Sequence, residues 1–257
     1  MTPPQIAVLI APGPNPEIVI NALKADFPNL VVIEEQPESK KVFFGRRAKK
    51  FGWIPVAGQF ATVFASRLLK RFSRTRGRPA EILRDFGADA AVDPAIRRVQ
   101  VPSANSPEFL RAVEDIRPVA LLLVSCRMLK PETLAGVPCP VLNFHAGINP
   151  QYRGLHGGYW SRIMDDEGNF GGTVHLVDAG VDTGAVLYQH RLKPSKDDTF
   201  QTYPLLLTAA STPIVVRAMH DAVSGTLKPL ETGGVSRQWY HPPVWTWLWN
   251  GLTRGIW

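Results

Sequence analysis

Ile6-Ala7-Val8-Leu9-Ile10-Ala11, closed at once by Pro12-Gly13-Pro14-Asn15-Pro16, decides the fold class. An apolar run without polar alternation suits a strand buried on both faces, as in a parallel sheet. Asn15 as N-cap and Pro16 as first helical residue predict a helix over Ile18–Asp26. Leu30–Glu34 reads as the next strand. The alternation continues through a short helix after Pro79, a strand Val99–Val101 and a helix Pro107–Ile116. The apolar strand Val119–Val124 and the strand Val141–His145 come next. Leu155–Asp165 reads as a helix, Gly172–Val177 and Ala185–Arg191 as a strand pair. Thr199–Val223 reads as a helix interrupted at Pro204 and Pro213. This order predicts an α/β, Rossmann-like fold, a mainly parallel sheet flanked by helices. A dinucleotide site is excluded. The first turn lacks G-x-G-x-x-G, and its prolines delete N–H groups that a pyrophosphate needs.

With 257 residues, 45% hydrophobic and 20% charged, the chain can bury a sizeable core, unlike a disordered tail or a disulfide miniprotein. Cys126 and Cys139 have no C-x-x-C companion, so neither a zinc module nor a disulfide framework is expected, and a reducing, cytoplasmic compartment fits. No basic region precedes the first apolar run, and no run reaches the ~18 apolar residues that span a bilayer.

The net charge of +7 is uneven. Lys40 to Arg78 holds twelve of the 29 basic residues and no Asp or Glu, which leaves 17 basic against 22 acidic residues elsewhere. This segment, about 38–78, reads as a basic helical insert. Two helices are expected in it, Arg46–Trp53 and Phe60–Phe72, separated around Pro55 and Gly58. Phe60, Val63, Phe64, Leu68 and Phe72 recur at helical steps with Arg67, Lys70 and Arg71 beside them, the pattern of an interfacial helix. The tail holds five of the seven tryptophans, at 239, 245, 247, 249 and 257. Their alternation at 245, 247 and 249 fits an edge strand, a homodimer arm or an interfacial anchor. The division expected is a catalytic domain 1–226 and an aromatic C-terminal extension 227–257.

Chemistry concentrates between Val141 and Gln189. Asn143 and His145 lie two apart on a strand and share a face, while Leu142 and Phe144 take the other. Polar groups at the carboxyl end of such a strand stand where open α/β sheets bind ligands. Asp182 sits in the Gly-bracketed turn Asp178–Gly184. His175 is read as a packing residue.

Four blocks occur in order: Asn143-Phe144-His145, Tyr152-Arg153-Gly154, Gly172-Thr173-Val174-His175 and Val181-Asp182-Thr183-Gly184. Together they resemble the 10-formyltetrahydrofolate-dependent formyltransferase family, most closely its sugar N-formyltransferase-like and glycinamide ribonucleotide formyltransferase-like members. The resemblance implies transfer of a formyl group from N10 of the folate to an amine, without a metal. Asn143 would then donate to the oxyanion, while His145 and Asp182 would handle protons. The folate would lie between Arg127, Met128 and Leu129 on one side and Val177, Asp178 and Val181 on the other. Gly13, Asn15, Tyr152, Arg153 and His156 would face the acceptor.

That acceptor is expected to be a small-molecule amine, first a nucleotide-linked amino sugar of surface-polysaccharide synthesis. The prolines after the first strand depart from the phosphate loop of glycinamide ribonucleotide enzymes. The residues after the last core helix are too few for the barrel that methionyl-tRNA formyltransferases carry, so nucleic acid is not an expected partner. A formyl-folate hydrolase on the same scaffold and a non-catalytic binding module are the alternatives. Peripheral contact with the inner membrane face would fall to the insert or the tail.

Overall fold

The computed structural model describes residues 4–39, 45, 47–49, 51–72 and 74–257, without the side chains of 69–75. Its strands are β1 (Ile6–Ile10), β2 (Val31–Glu35), β3 (Arg98–Val101), β4 (Ala120–Val124), β5 (Val141–His145), β6 (Arg153–Gly154), β7 (Gly171–Leu176), β8 (Val186–Arg191) and β9 (Gln238–Trp239). Its helices are α1 (Pro14–Leu23), α2 (Trp53–Phe72), α3 (Arg78–Asp85), α4 (Pro107–Ile116), α5 (Pro131–Ala135), α6 (Gly157–Ile163), α7 (Tyr203–Ser224) and α8 (Val244–Arg254).

Seven strands form one sheet in the order β3-β2-β1-β4-β5-β7-β8. From β3 to β5 neighbours run parallel, whereas β7 and β8 are antiparallel additions. The unbroken apolar run of β1 has a physical cause. Ile6, Val8 and Ile10 pack under α1 and α7 with Val19, Ile20, Met219 and Ala222. Ala7 and Leu9 face the opposite core, where α4 brings Phe109, Val113 and Ile116. A third cluster joins Tyr159, Phe170, Phe200 and Tyr203 to Trp247 and Ile256 of the C-terminal region. Fully burying such side chains contributes about 1.5–3 kcal/mol each.

The chain runs outward from β1 to β3, then crosses back to β4 on the other side of β1. The loops after β1, β4 and β5 therefore open together at this switch, the usual ligand crevice of open α/β sheets. Among the described residues no helix is long and apolar enough to cross a membrane.

Several expected boundaries shift. α1 begins at Pro14 with Gly13 as N-cap, so Asn15 is already helical. α6 begins at Gly157, not Leu155. Pro55 and Gly58 do not separate two helices, because α2 runs through both. Pro55 stands in its first turn, where the missing N–H would have no intrahelical partner. Residues 47–49 and 51 are also helical. Arg46 and Lys50, and the side chains of Lys70, Arg71 and Phe72, lie outside the described residues.

Likewise α7 passes Pro213 unbroken. The ring deprives Ala209 O of its i+4 donor, and the Thr212 hydroxyl supplies a hydrogen bond to that oxygen at 3.0 Å. The tryptophan tail is a helix rather than an edge strand. Trp245 and Trp249 lie one turn apart on α8, and Trp247 points the other way into the core.

Candidate active site

A cavity of about 660 Å³ opens at the switch and is lined by Asn143, His145, His175 and Asp182 at its polar end. Its size suits a small-molecule ligand. Strand β5 sends Leu142 and Phe144 into the core, so the pleat turns Asn143 and His145 to the cavity. Opposite Asn143 in the antiparallel register stands His175 of β7.

Asn143, His175 and Asp182 meet as a triangle. Asn143 Nδ2 donates to Asp182 Oδ1 at 3.2 Å and lies 3.1 Å from His175 Nε2, which is 3.3 Å from Asp182 Oδ1. His175 Nδ1, 2.7 Å from Leu176 O, donates to that carbonyl. When Nε2 carries a proton as well, it donates to Asp182, and one Asn143 N–H is left for the cavity. His145 approaches from the other side of the carboxylate. Its Nε2 donates to Tyr152 O at 2.7 Å, and its Nδ1 stands 3.6 Å from Asp182 Oδ2.

Asp182 is fixed from several directions. Gly154 N donates to its Oδ2 at 2.9 Å, and Asn149 Nδ2 to its carbonyl at 3.0 Å. The close approach explains Gly154. Its φ of +94° is left-handed, and a Cβ would lie 2.4 Å from Trp239 O. Burial acts to raise the Asp182 carboxyl pKa, but the charge of His145, the hydrogen bond and charge of His175 and the Gly154 N–H outweigh it. The carboxyl therefore titrates well below the ordinary range and stays ionised.

The other expected residues divide. Met128, Leu129, Val177, Asp178, Val181, Asn15 and His156 line the cavity, as does Arg127. The Arg127 guanidinium, however, is engaged by Glu35 at 3.1 Å and by Gln36 O. Glu35 also accepts from Arg127 N and Ala104 N, so this buried carboxylate shapes the loop after β4. Gly13, Tyr152 and Arg153 do not line the cavity. Tyr152 donates to Asp166 at 2.8 Å, while Arg153 ties Val181 O at 2.6 Å to Ser236 Oγ at 2.9 Å. Arg153 thereby braces the turn that carries Asp182.

A second histidine pair went unseen in the sequence. His156 Nε2 lies 3.0 Å from His241 Nε2, with Phe200 stacked on His156 at 4.2 Å. Burial first, then the charge of Arg47, pushes His241 down to about 4. His156 is lowered well below its usual value by burial, His241 and Arg47. The pair is neutral at pH 7, one ring donating to the other. The rest of that wall comes from the insert and the tail, as Arg47, Phe51, Trp239 and Tyr240. No local spacing announces it, since the two histidines are 85 residues apart.

Solved structures share this fold. A sugar N-formyltransferase from a Shewanella species superposes with a TM-score of 0.57 at 13% identity, covering 91% of this chain and 76% of its own. Phosphoribosylglycinamide formyltransferase from Anaplasma phagocytophilum gives 0.56 at 14% identity, covering 92% and 99%. Among curated relatives, methionyl-tRNA formyltransferase of Caldanaerobacter subterraneus subsp. tengcongensis is 27% identical over 158 residues, 61% of this chain and 51% of its own. The chain thus spans about half the length of the curated relatives it matches. The sequence model of the family described as Formyl transferase matches residues 74–219. That span exceeds half of the sequence and holds both segments that bring Asn143, His145, His175 and Asp182 together: the chain belongs to the formyl transferase family.

Proposed function

We propose that the protein transfers a formyl group from 10-formyltetrahydrofolate to a primary amine. The observation that carries this reading is the convergence of Asn143, His145, His175 and Asp182 at one end of a cavity walled by Ser125–Leu129 and the turn Val177–Asp182. The half-exposed Met128, the buried Leu129 and Val177 offer the flat apolar surface that a pterin ring needs. Bound between these walls, the folate supplies a formamide carbon open to attack by an amine.

The residues' tasks follow from their partners. Asn143 Nδ2 holds negative charge on the formyl oxygen, as a fixed neutral donor whose loss costs about 3–4 kcal/mol in comparable sites. His145 Nδ1 and Asp182 Oδ2, 3.6 Å apart, leave room for an amine nitrogen or a water about 2.8 Å from both. His145 Nδ1 takes the proton of the attacking amine and returns it to N10 as the bond between the formyl carbon and N10 breaks and tetrahydrofolate leaves, while Tyr152 O holds its far nitrogen and the ionised Asp182 steadies the imidazolium. His175, anchored by Leu176 O, positions Asp182 and Asn143.

Within this reading the acceptor is a nucleotide-linked amino sugar. Phe51, Trp239 and Tyr240 are aromatic faces suited to a sugar ring or a base, and Arg47 beside them suits a diphosphate. Residues 1–226 are the catalytic unit, and 227–257 an aromatic extension that completes the cavity wall from the cytoplasmic protein's own tail. Charged tRNA is the second reading, favoured by the methionyl-tRNA formyltransferases among the relatives and by the basic segment. The test incubates purified protein and 10-formyltetrahydrofolate with amino-sugar nucleotides, glycinamide ribonucleotide or aminoacyl-tRNA. A formyl mass gain on an amino-sugar nucleotide supports the first reading, and gain on tRNA alone replaces it with the second. Formate release at the same rate without any amine would make the protein a hydrolase.

A further inference from the structure

Helix α2 turns its faces the opposite way from an ordinary surface helix. Toward the protein it presents Val56, Gly58, Gln59, Thr62 and Ser66. Thr62 is fully buried, and its hydroxyl bonds with Gly58 O at 3.1 Å and Pro242 O at 2.8 Å. Toward solvent it presents Trp53 and Phe64, each 72% exposed, with Ile54 and Leu68. Helix α8 repeats the inversion: Trp247, Asn250 and Gly251 are buried, whereas Trp245, Leu248, Trp249 and Leu252 are exposed.

The two exposed stripes adjoin. The Trp245 ring lies so close to α2 that a Cβ on Gly58 would stand 2.6 Å from it. Ile54, on the solvent side of α2, precedes Gly58 by one helical turn, so Trp245 stands at the edge of the exposed stripe. Contiguous apolar surface of this kind marks a contact site. Its charge points to the occupant. Lys40 to Arg78 carries twelve cations and no anion, with Lys49, Arg67 and Arg76 exposed. Self-association through this face would bring two such basic segments together. An anionic bilayer instead attracts the cations and accepts tryptophan and phenylalanine at its headgroup boundary.

We propose that the exposed faces of α2 and α8 form one surface that seats the protein on an anionic lipid bilayer. The surface stands next to the cavity, for Phe51 and Tyr240 line its wall with their rings 4.7 Å apart. Trp53 follows Phe51 by two residues, ~7 Å of chain at most. The inference stands apart from formyl transfer, and vesicle binding reads it without any turnover.

The test sediments the full chain with vesicles of phosphatidylcholine alone, or of phosphatidylcholine and phosphatidylglycerol in equal parts, at low and raised salt. The chain is expected to pellet with the mixed vesicles at low salt. Its bound-to-free ratio should fall ~10-fold or more on phosphatidylcholine alone or in raised salt. The triple variant Phe64→Gln, Trp249→Gln, Leu252→Gln should lose ~10-fold or more while its circular dichroism and Tm stay unchanged. Arg67→Glu alone should weaken binding to the mixed vesicles only. The proposal is overturned if the wild type stays in the supernatant with mixed vesicles, or if the folded triple variant pellets as well as the wild type. It is equally overturned if sedimentation velocity finds a dimer that the triple substitution makes monomeric, since a second copy would then be the occupant.

Discussion

The cluster around Asp182 and the pair α2–α8 treat polarity in opposite ways. At the cluster, two buried imidazoles gather round a partly buried carboxylate and amide that are bonded to each other, at the carboxyl end of β5. On α2 and α8, hydroxyls, two amides and two glycines are buried while indole, phenyl and leucyl groups face out. Buried charge is costly and survives only where partners compensate it, so its concentration at one sheet end marks chemistry. Buried Thr62 costs little because it is fully bonded, and it leaves the apolar residues of α2 for something outside the chain. The two regions teach that function is written in which groups each surface withholds from water, not in composition.

The comparison breaks most severely at the carboxylate. Asp182→Asn keeps the shape but removes the charge that His145 and His175 face, and kcat/KM with any accepted amine should drop ~10³-fold. Asn143→Ala should cost ~10²–10³-fold in kcat with little change in KM, as for a donor used in the transition state. An effect below tenfold in either variant would remove that residue from the chemistry. The stability of Asp182 has its own sign. Its folded pKa is depressed below the ordinary carboxyl value of 3.8, so its stabilising contribution is complete above that pH and is lost as pH falls below it. In chemical denaturation, wild type should therefore lose stability below about pH 4 more steeply than Asp182→Asn.

Smaller effects sharpen the other side. Thr62→Val deprives Pro242 O of its buried donor and should cost about 1–2 kcal/mol in urea denaturation. His241 is held neutral, with a folded pKa of about 4 against an ordinary 6.5. The unfolded chain gains that proton first, so stability is full above pH 6.5 and declines toward pH 4. His241→Gln should flatten this part of the Tm–pH curve, and an unchanged slope would mean that the ring is charged in the fold. Trp249→Gln should be smallest, within about 0.5 kcal/mol, since its side chain faces solvent. A larger loss would show that the exposed stripe holds the fold together.

Much of the fold was legible because local chemistry and tertiary role coincide. Helix α4 begins at Pro107 and ends at Ile116, and β5 runs Val141–His145, as the apolar spacing and the punctuating prolines indicate. Where they diverge, the expectation failed. Pro213 reads as an interruption in the sequence, yet α7 runs through it and Thr212 Oγ1 donates to the Ala209 carbonyl that the proline leaves without a donor. Trp245, Trp247 and Trp249 alternate like a strand, yet the chain there is helical and uses the intervening turn to bury Trp247 alone. In the sequence His175 shares a strand face with Thr173 and Val177, which reads as packing. Only the antiparallel register sets it against Asn143.

By itself the sequence determined the α/β order of elements and put Asn143, His145 and Asp182 in loops and strand ends fit for chemistry. Apolar runs, prolines and glycines act within a few residues, and those constraints survive without knowledge of the rest of the chain. Tertiary structure alone decided that His156 meets His241, that Gly154 N–H steadies Asp182, and that α2 faces its hydroxyls inward. Each of these joins residues distant in sequence, where hydrogen-bond geometry and competition for burial, rather than local pattern, choose the partner.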